Sequence, residues 1–185
     1  AGSPLSNKKT VNIKAMTAKE EDILTSRALI KNGTVIGHLL KSCVTEQGVD
    51  VDEMLVGDRN ALMVAIRITG YGPDYKADVT CPDCSERSSQ TFSLADLEIK
   101  RLEIDPVNPG ENRFSYSLPV TKKEVHFRFL TGRDEQQIAI ENERMQKLFP
   151  DRAQDSLVTS RLSNAILSVD GVTDKNKIRL FVDHM

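Results

Sequence analysis

The hydrophobic periodicity of the chain changes twice, and this constrains its fold more than any other feature of the sequence. Up to about residue 70, apolar residues recur at the spacing of α-helices, whereas from 75 to 129 they alternate with polar residues, as in β-strands. Between these two patterns, Gly70, Gly72 and Pro73 stop a helix. Helical spacing returns after Thr131. This order predicts an α+β fold in which helical N- and C-terminal parts surround an inserted small antiparallel β module.

We expect three structural parts along the 185 residues. An N-terminal arm and helical part covers 1–72, a β module with a Cys-x-x-Cys knuckle and a hairpin covers 73–130, and a C-terminal helical part covers 131–185. At about 100–200 residues per domain, the length fits one domain or a core with a small inserted module.

The first part begins with an arm in which 10–13 alternate in polarity and are expected to pair as an edge strand. Thr17 and Glu20 have the spacing of a capping box, which predicts a helix that ends at Asn32-Gly33. The apolar stretch 34–44 is too short for its periodicity to separate helix from strand.

A second clear helix is predicted over 59–68, with Asp58 as its N-cap. It is apolar almost all round, and a helix of that kind is buried or forms an interface. Arg59 has two interpretations: a surface arginine that follows the cap, or an arginine held at an interface through a bidentate carboxylate pair.

The remaining elements follow from local patterns. Two alternating runs, 114–118 and 125–129, flank a polar turn and predict a β-hairpin with one aromatic face, with His126 on the opposite face. Three helices are then expected: one capped by 131–134, running to about Lys147 and ended by Pro150, one along the apolar stripe 157–169, and a last one capped by Thr173. The last pattern reaches Met185 without a stop signal.

Cys81-Pro82-Asp83-Cys84 is the sharpest motif in the chain. Two thiols on a tight turn between strands have the geometry of a zinc knuckle, in which the turn aims both sulfurs at one point. The pair is half of a structural zinc site, because such a site needs four ligands. The alternative is a hairpin turn with unligated thiols, and redox chemistry is disfavoured because the pair does not begin a helix. Candidates for further ligands are Cys43, which better fits a core position, and His38, His126 and His184.

Charge and motifs narrow the classes of function. With 25 Lys and Arg against 27 Asp and Glu, the net charge of −2 argues against broad capture of nucleic acid or of an anionic membrane. No apolar run approaches the roughly 20 residues that span a bilayer. The sequence has neither a glycine-rich nucleotide loop nor a hydrolase motif. We therefore expect a protein that is not an enzyme and has no small-molecule substrate.

Several stretches together resemble the baseplate hub assembly protein family of contractile-tailed, T-even-like bacteriophages. They cover about residues 17 to 97 and comprise 20–24, 55–62, 66–68 with 71–72, 79–84, and 92–94 with Leu97. The resemblance implies a structural subunit, made late in the infected cell, that binds other baseplate hub and tail proteins. It also implies a location in the virion tail after assembly in the host cytoplasm.

The zinc interpretation depends on a departure from this family. Its members continue past the last helix into a segment with a second Cys-x-x-Cys pair, which this sequence lacks. The resemblance implies that Cys81 and Cys84 are two ligands of a four-Cys ribbon if the chain continues past Met185, and half of a site if it does not. Two other functions stay open: a zinc-ribbon adaptor that binds nucleic acid, and a transient assembly chaperone that is absent from the mature particle.

Overall fold

The computed structural model describes residues 10–99, 102–148 and 157–185. The N-terminal part contains four helices within these ranges: α1 (Ala18–Thr25), α2 (Arg27–Lys31), α3 (Val35–Cys43) and α4 (Val56–Tyr71). The stretch that periodicity left undecided is thus the helix α3. In the described part of the arm, from Thr10 onward, Ile13 forms an isolated antiparallel bridge with Val44 instead of a continuous edge strand.

The capping box at the start of α1 is confirmed. The Glu20 carboxylate accepts hydrogen bonds from the Thr17 backbone N–H at 2.8 Å and from the Thr17 hydroxyl at 2.6 Å. It also accepts from Ser42 on α3 and, at 2.9 Å, from the ammonium of Lys14 on the arm. Hydrogen bonds from Ser42, Thr17 and Lys14 hold the pKa of this buried carboxyl well below its usual range. Glu20 therefore ties arm, α1 and α3 together as an anion.

Two boundaries in this part differ from the prediction. The first helix is interrupted at Ser26, whose backbone is extended and whose hydroxyl accepts from the Leu29 N–H, so that α2 starts anew. Asp58 is not an N-cap, because α4 begins three residues earlier, after Leu55. The Val56 N–H donates to the Leu130 carbonyl at 2.9 Å, so a neighbouring segment satisfies the exposed end of α4 instead of a side chain.

The apolar residues of α3 and α4 enclose the first core. Its buried members are Leu39, Leu40, Cys43, Val51, Met54 and Ile66. On α4 itself only Arg59 and Ile66 are buried, and its other apolar residues are half-buried or exposed. The helix thus packs one edge into the core and leaves much of its apolar surface partly accessible.

The described residues form two antiparallel sheets. The first pairs β1 (Asp74–Thr80) with β2 (Arg87–Ser93), followed by a 3₁₀ turn over Leu94–Asp96. The second has the order β3 (Phe114–Ser117), β4 (Glu124–Phe127) and β5 (Ile166–Val169). The hairpin predicted from 114–118 and 125–129 is therefore confirmed, as are the strands on both sides of the Cys81–Cys84 turn and the α+β class.

An aromatic cluster covers one face of the β3–β4 hairpin, as the alternation predicted. The ring centroids of Phe114 and Phe129 lie 5.0 Å apart, and those of Phe114 and Phe127 lie 5.6 Å apart. Ser115 pairs with His126, which puts His126 on the opposite face.

The C-terminal part contains α5 (Gly132–Leu148), α6 (Leu157–Ala165) and α7 (Lys175–Asp183). The predicted helix over 157–169 is wrong in its second half, because residues from Ile166 onward form β5. The main-chain groups there pair with β4, with Val169 opposite Val125 and Ile166 opposite Phe127. A strand from the C-terminal part therefore completes the second sheet.

The ends of the last helix also differ from the prediction. Its N-cap is Asp174, not Thr173, because the Asp174 carboxylate accepts from the Lys177 N–H at 2.9 Å. The helix ends at Asp183 with His184 as its C-cap, so the chain does not stop inside it. A second core of Val125, Ile166, Val169, Ile178 and Val182 lies between this helix and the three-stranded sheet. Pro150, the expected stop for α5, lies outside the described residues.

The segment before α4 and the start of α5 connect the N-terminal part of the chain to its C-terminal part. Leu55 forms an antiparallel bridge with Thr131, and the Gly132 N–H donates to the Met54 carbonyl at 3.0 Å. Arg59 is buried where these two segments meet. Its guanidinium donates to the Val51 carbonyl at 3.1 Å and to the Asp52 carboxylate at 3.3 Å. The surface interpretation of Arg59 is therefore wrong. The Asp52 carboxylate of the same chain contacts Arg59 through one guanidinium nitrogen, so the contact is not bidentate.

The three-part division of the chain stays a prediction.

Within the described ranges, every helix is too short or too polar to cross a lipid bilayer.

Candidate functional site

The β1–β2 hairpin is a candidate interaction site because nearly all of its residues are exposed. Its two strands pair over seven residues each, from Asp74 opposite Ser93 to Thr80 opposite Arg87. Only Ala77 and Ser93 among these residues are half-buried. A two-stranded sheet is marginally stable alone in water, so a hairpin this exposed gains from a partner or a metal.

One face of this hairpin carries all of its apolar side chains, beside Gln90 and Ser88 of β2. Tyr75 and Phe92 are directly paired, and Ala77 and Val79 follow on the same face because side chains alternate along a strand. Tyr75, Phe92 and Val79 are 47%, 50% and 42% exposed. The opposite face carries only polar side chains, among them the paired Lys76 and Thr91. We call Tyr75, Ala77, Val79 and Phe92 the hairpin face.

The Cys-x-x-Cys turn lies at the tip of this hairpin, where the sequence placed it. The Cys81 N–H donates to the Glu86 carbonyl at 2.9 Å, and the Ser85 N–H donates to the Cys81 carbonyl at 3.0 Å. Ser85 adopts the left-handed conformation, with φ of 58°, that closes the turn. Backbone N–H groups of Cys84 and Asp83 point at the Cys81 sulfur and lower the pKa of its thiol. Such amide donors stabilise a thiolate, which is the form that binds metals.

None of the other candidate ligands forms a metal-binding group with the Cys81–Cys84 turn within the described residues. Across 10–99, 102–148 and 157–185, no three His, Cys, Asp or Glu side chains are grouped so that they could hold a metal ion. Cys43 is buried in the first core, where burial raises the pKa of its thiol. His126 contacts Arg113 and Glu124 on the β3–β4 hairpin, and the His184 ring contacts the Leu180 carbonyl. Cys81 and Cys84 are therefore a two-ligand half-site in the part of the chain that is described.

A groove between α7 and the end of the three-stranded sheet is a second candidate site. Val169, Val172, Ile178 and Phe181 make its apolar walls, and Lys123 and Lys177 line it as well. We call these six residues the α7 groove. The sequence did not reveal it, because its residues come from the β3–β4 turn, the end of β5 and α7. The isolated Asp170-Gly171 turn signal is the one local hint, since both residues have positive φ and fold Val172 back onto Val169.

The chain combines a mixed α+β fold with a projecting hairpin whose large apolar side chains are exposed. The chain belongs to a family of phage structural proteins: the model of the family described as "T4 bacteriophage base plate protein" matches residues 3–114, more than half of the sequence. The predicted resemblance to baseplate proteins of T4-like phages is thus confirmed. Neither the comparison with curated proteins nor the comparison with solved structures gave a significant match.

The matched range includes the first core and the whole β1–β2 hairpin and ends at the first residue of β3. As a member of a baseplate family, the protein is a structural component of the virion tail and contacts other tail proteins.

Proposed function

We propose that the chain is a subunit of the baseplate hub and acts by protein–protein contact through the hairpin face. The observation that carries this proposal is the exposure of Tyr75, Phe92 and Val79 on one face of a projecting two-stranded sheet. Large apolar side chains that share a face and stay accessible mark interaction surfaces. The hairpin also lies wholly inside the range that matches the family.

The hairpin offers a partner two kinds of contact. Covering the hairpin face removes apolar surface from water, at roughly 25 cal/mol per Å². The outer edge of β2 is open to pairing, since the described residues place it in a two-stranded sheet, and its central residues 88–91 carry no charge. An uncharged edge strand is suited to accept a strand from a partner.

The proposal assigns the protein no catalytic activity, which agrees with its structural family. Assembly takes place in the host cytoplasm, before the finished tail carries the subunit in its hub.

The test is incorporation of variants into tails. Phage that lack the native protein are complemented with Tyr75→Ser/Phe92→Ser, and proteins of purified tails are quantified by mass spectrometry. We expect the variant to be lost from the baseplate, or tails not to form. Lys76→Ser/Thr91→Ser, a cross-strand pair on the polar face, is the matched control and should assemble normally. Normal incorporation of the apolar-face variant would refute the role of this face. A protein found in assembly intermediates but missing from finished tails would instead be the transient chaperone.

We further propose that Cys81 and Cys84 supply two ligands of a structural zinc ion that stiffens the hairpin tip. The support is the pair of backbone N–H groups directed at the Cys81 sulfur, which favour a thiolate. The remaining ligands would come from outside the described residues or from a neighbouring subunit.

Native mass spectrometry after purification with zinc tests the proposed ligands. Zinc should be bound by the wild type and by Cys43→Ala, and lost from Cys81→Ser/Cys84→Ser. Zinc binding that survives the double substitution would contradict the assignment. A salt-dependent gel shift with nucleic acid would favour the adaptor function. The charges around the turn argue against that outcome, because Asp78, Asp83 and Glu86 outnumber Arg87.

A further inference from the structure

Backbone hydrogen bonds and a buried side chain fix the shape of the α7 groove. Asp170 at the tip of the β5 turn accepts from the Glu124 N–H at 2.9 Å, and its own N–H donates to the Glu124 carbonyl at 2.8 Å. These bonds fasten the β5 turn to β4, which follows the turn that carries Lys123. The groove floor is also fixed, because Ile178 is almost fully buried in the second core. The walls are therefore shaped before any partner binds.

The two lysines give the α7 groove a positive charge beside its apolar walls. Lys177 makes no ion pair within the described ranges. The Lys123 ammonium lies 5.4 Å from the centre of the Phe181 ring and 3.9 Å from Asp170, which neutralises part of its charge. An occupant that suits this groove carries a large aliphatic side chain next to a carboxylate.

The chain itself presents a segment of this composition. Asp96-Leu97-Glu98-Ile99 follows the first hairpin and alternates acidic and aliphatic residues. All four are exposed, with Leu97 at 57% and Ile99 at 88%, so the segment is accessible to another molecule. Within 96–99, the exposed aliphatic residues and the carboxylates match the apolar walls and the lysines of the α7 groove, and the basic Lys100 and Arg101 that follow lie outside this segment.

We propose that 96–99 of one molecule binds in the α7 groove of a second copy of this chain. The contact joins two different surfaces, so it is heterologous: repeated from copy to copy, it closes into a ring or continues as a filament. A single contact of two aliphatic side chains and one or two ion pairs is weak, and closure of a ring would strengthen it by raising the effective concentration. The proposal goes beyond the role of the hairpin face and does not depend on it, because purified protein alone can test it.

The test uses one variant in each surface. Lys177→Glu damages the groove and keeps the segment, whereas Leu97→Ser/Ile99→Ser damages the segment and keeps the groove. Sedimentation velocity is measured on the full chain up to about 1 mM, together with circular dichroism to show that each variant is folded. Lys175→Glu, an equal charge change on α7 outside the groove, is the control.

We expect the wild type to associate in a concentration-dependent manner, less strongly in high salt. Each damaged variant should associate at least tenfold more weakly, while Lys175→Glu stays within about twofold of the wild type. An equimolar mixture of the two damaged variants has one intact groove and one intact segment, so it should form a heterodimer and nothing larger.

A wild type that stays monomeric up to that concentration overturns the proposal, even if the groove then binds an acidic peptide from another protein. Association that neither substitution weakens also overturns it, as does a mixture that forms no heterodimer. None of these results bears on the hairpin face, which is tested in tails.

Discussion

Gly132 is the position where one added methyl group should cost the most, because it lies against the buried Arg59 guanidinium. A Cβ at this residue would stand 1.5 Å from Nη1 and 2.3 Å from Cζ of Arg59. The guanidinium would have to leave its acceptors, the Val51 carbonyl and the Asp52 carboxylate. Lost bonds to a charged group cost about 1.5–3 kcal/mol and overpacking costs about 1–3 kcal/mol, against a gain of about 0.5–1 kcal/mol for alanine in a helix. We therefore expect Gly132→Ala to lower the free energy of unfolding by about 2–5 kcal/mol.

Urea denaturation followed by far-UV circular dichroism measures this loss, since the chain contains no tryptophan for fluorescence. The melting temperature should fall by about 5–15 °C. Gly57→Ala is the matched control: it also lies in the first turn of a helix, but its Cβ would meet nothing within 4 Å. In an Arg59→Ala background the methyl group has room, so the effect of Gly132→Ala should largely disappear. Equal stability of the two glycine variants, or an undiminished loss without Arg59, would refute this reasoning.

Three further predictions concern the second sheet and the residues beside it. Arg128 holds the pKa of Asp134 at about 2, below the usual value of about 3.9, so their ion pair stabilises the fold above about pH 4 and is lost as the pH falls towards 2. Asp134→Asn should flatten the stability curve over that range in acid titrations. Phe114→Ala should destabilise by about 3–5 kcal/mol in urea because this buried ring contacts two others, whereas Val120→Ala, at an exposed site, should change stability by less than about 0.5 kcal/mol. Gly171→Ala should lower the melting temperature, since its φ of +78° is strained for alanine by about 1–2 kcal/mol.

The elements that the sequence predicted well are those whose determinants are local. The capping box of Thr17 and Glu20 needs only four consecutive residues, and both hairpins show their alternation on either side of a short turn. The Cys81–Cys84 turn was placed correctly for the same reason. Local patterns of this kind do not depend on the rest of the chain.

The break at Ser26 and the N-cap at Asp174 are local errors, whereas the larger errors arose where distant segments decide the structure. The start of α4 depends on Leu130, more than 70 residues away, which accepts from the Val56 N–H. The stripe through Ile166 and Val169 fits a helix equally well by spacing, and only pairing with β4 makes it a strand. The burial of Arg59 could not be read locally either, because the space for its guanidinium is created by the missing side chain of Gly132.

The pairing of β4 with β5 has a consequence for the order in which the protein folds during synthesis. The buried residues of the first core all lie between Leu39 and Ile66, so that core is complete in sequence early, and the β1–β2 hairpin closes soon after it. The strand β4, which contains Val125, is by contrast paired on both sides only after Val169 has emerged from the ribosome. Until then the β4 edge and the residues of the second core are exposed to the cell. The newly made chain is therefore most vulnerable to wrong associations after β4 has emerged and before β5 and α7 follow.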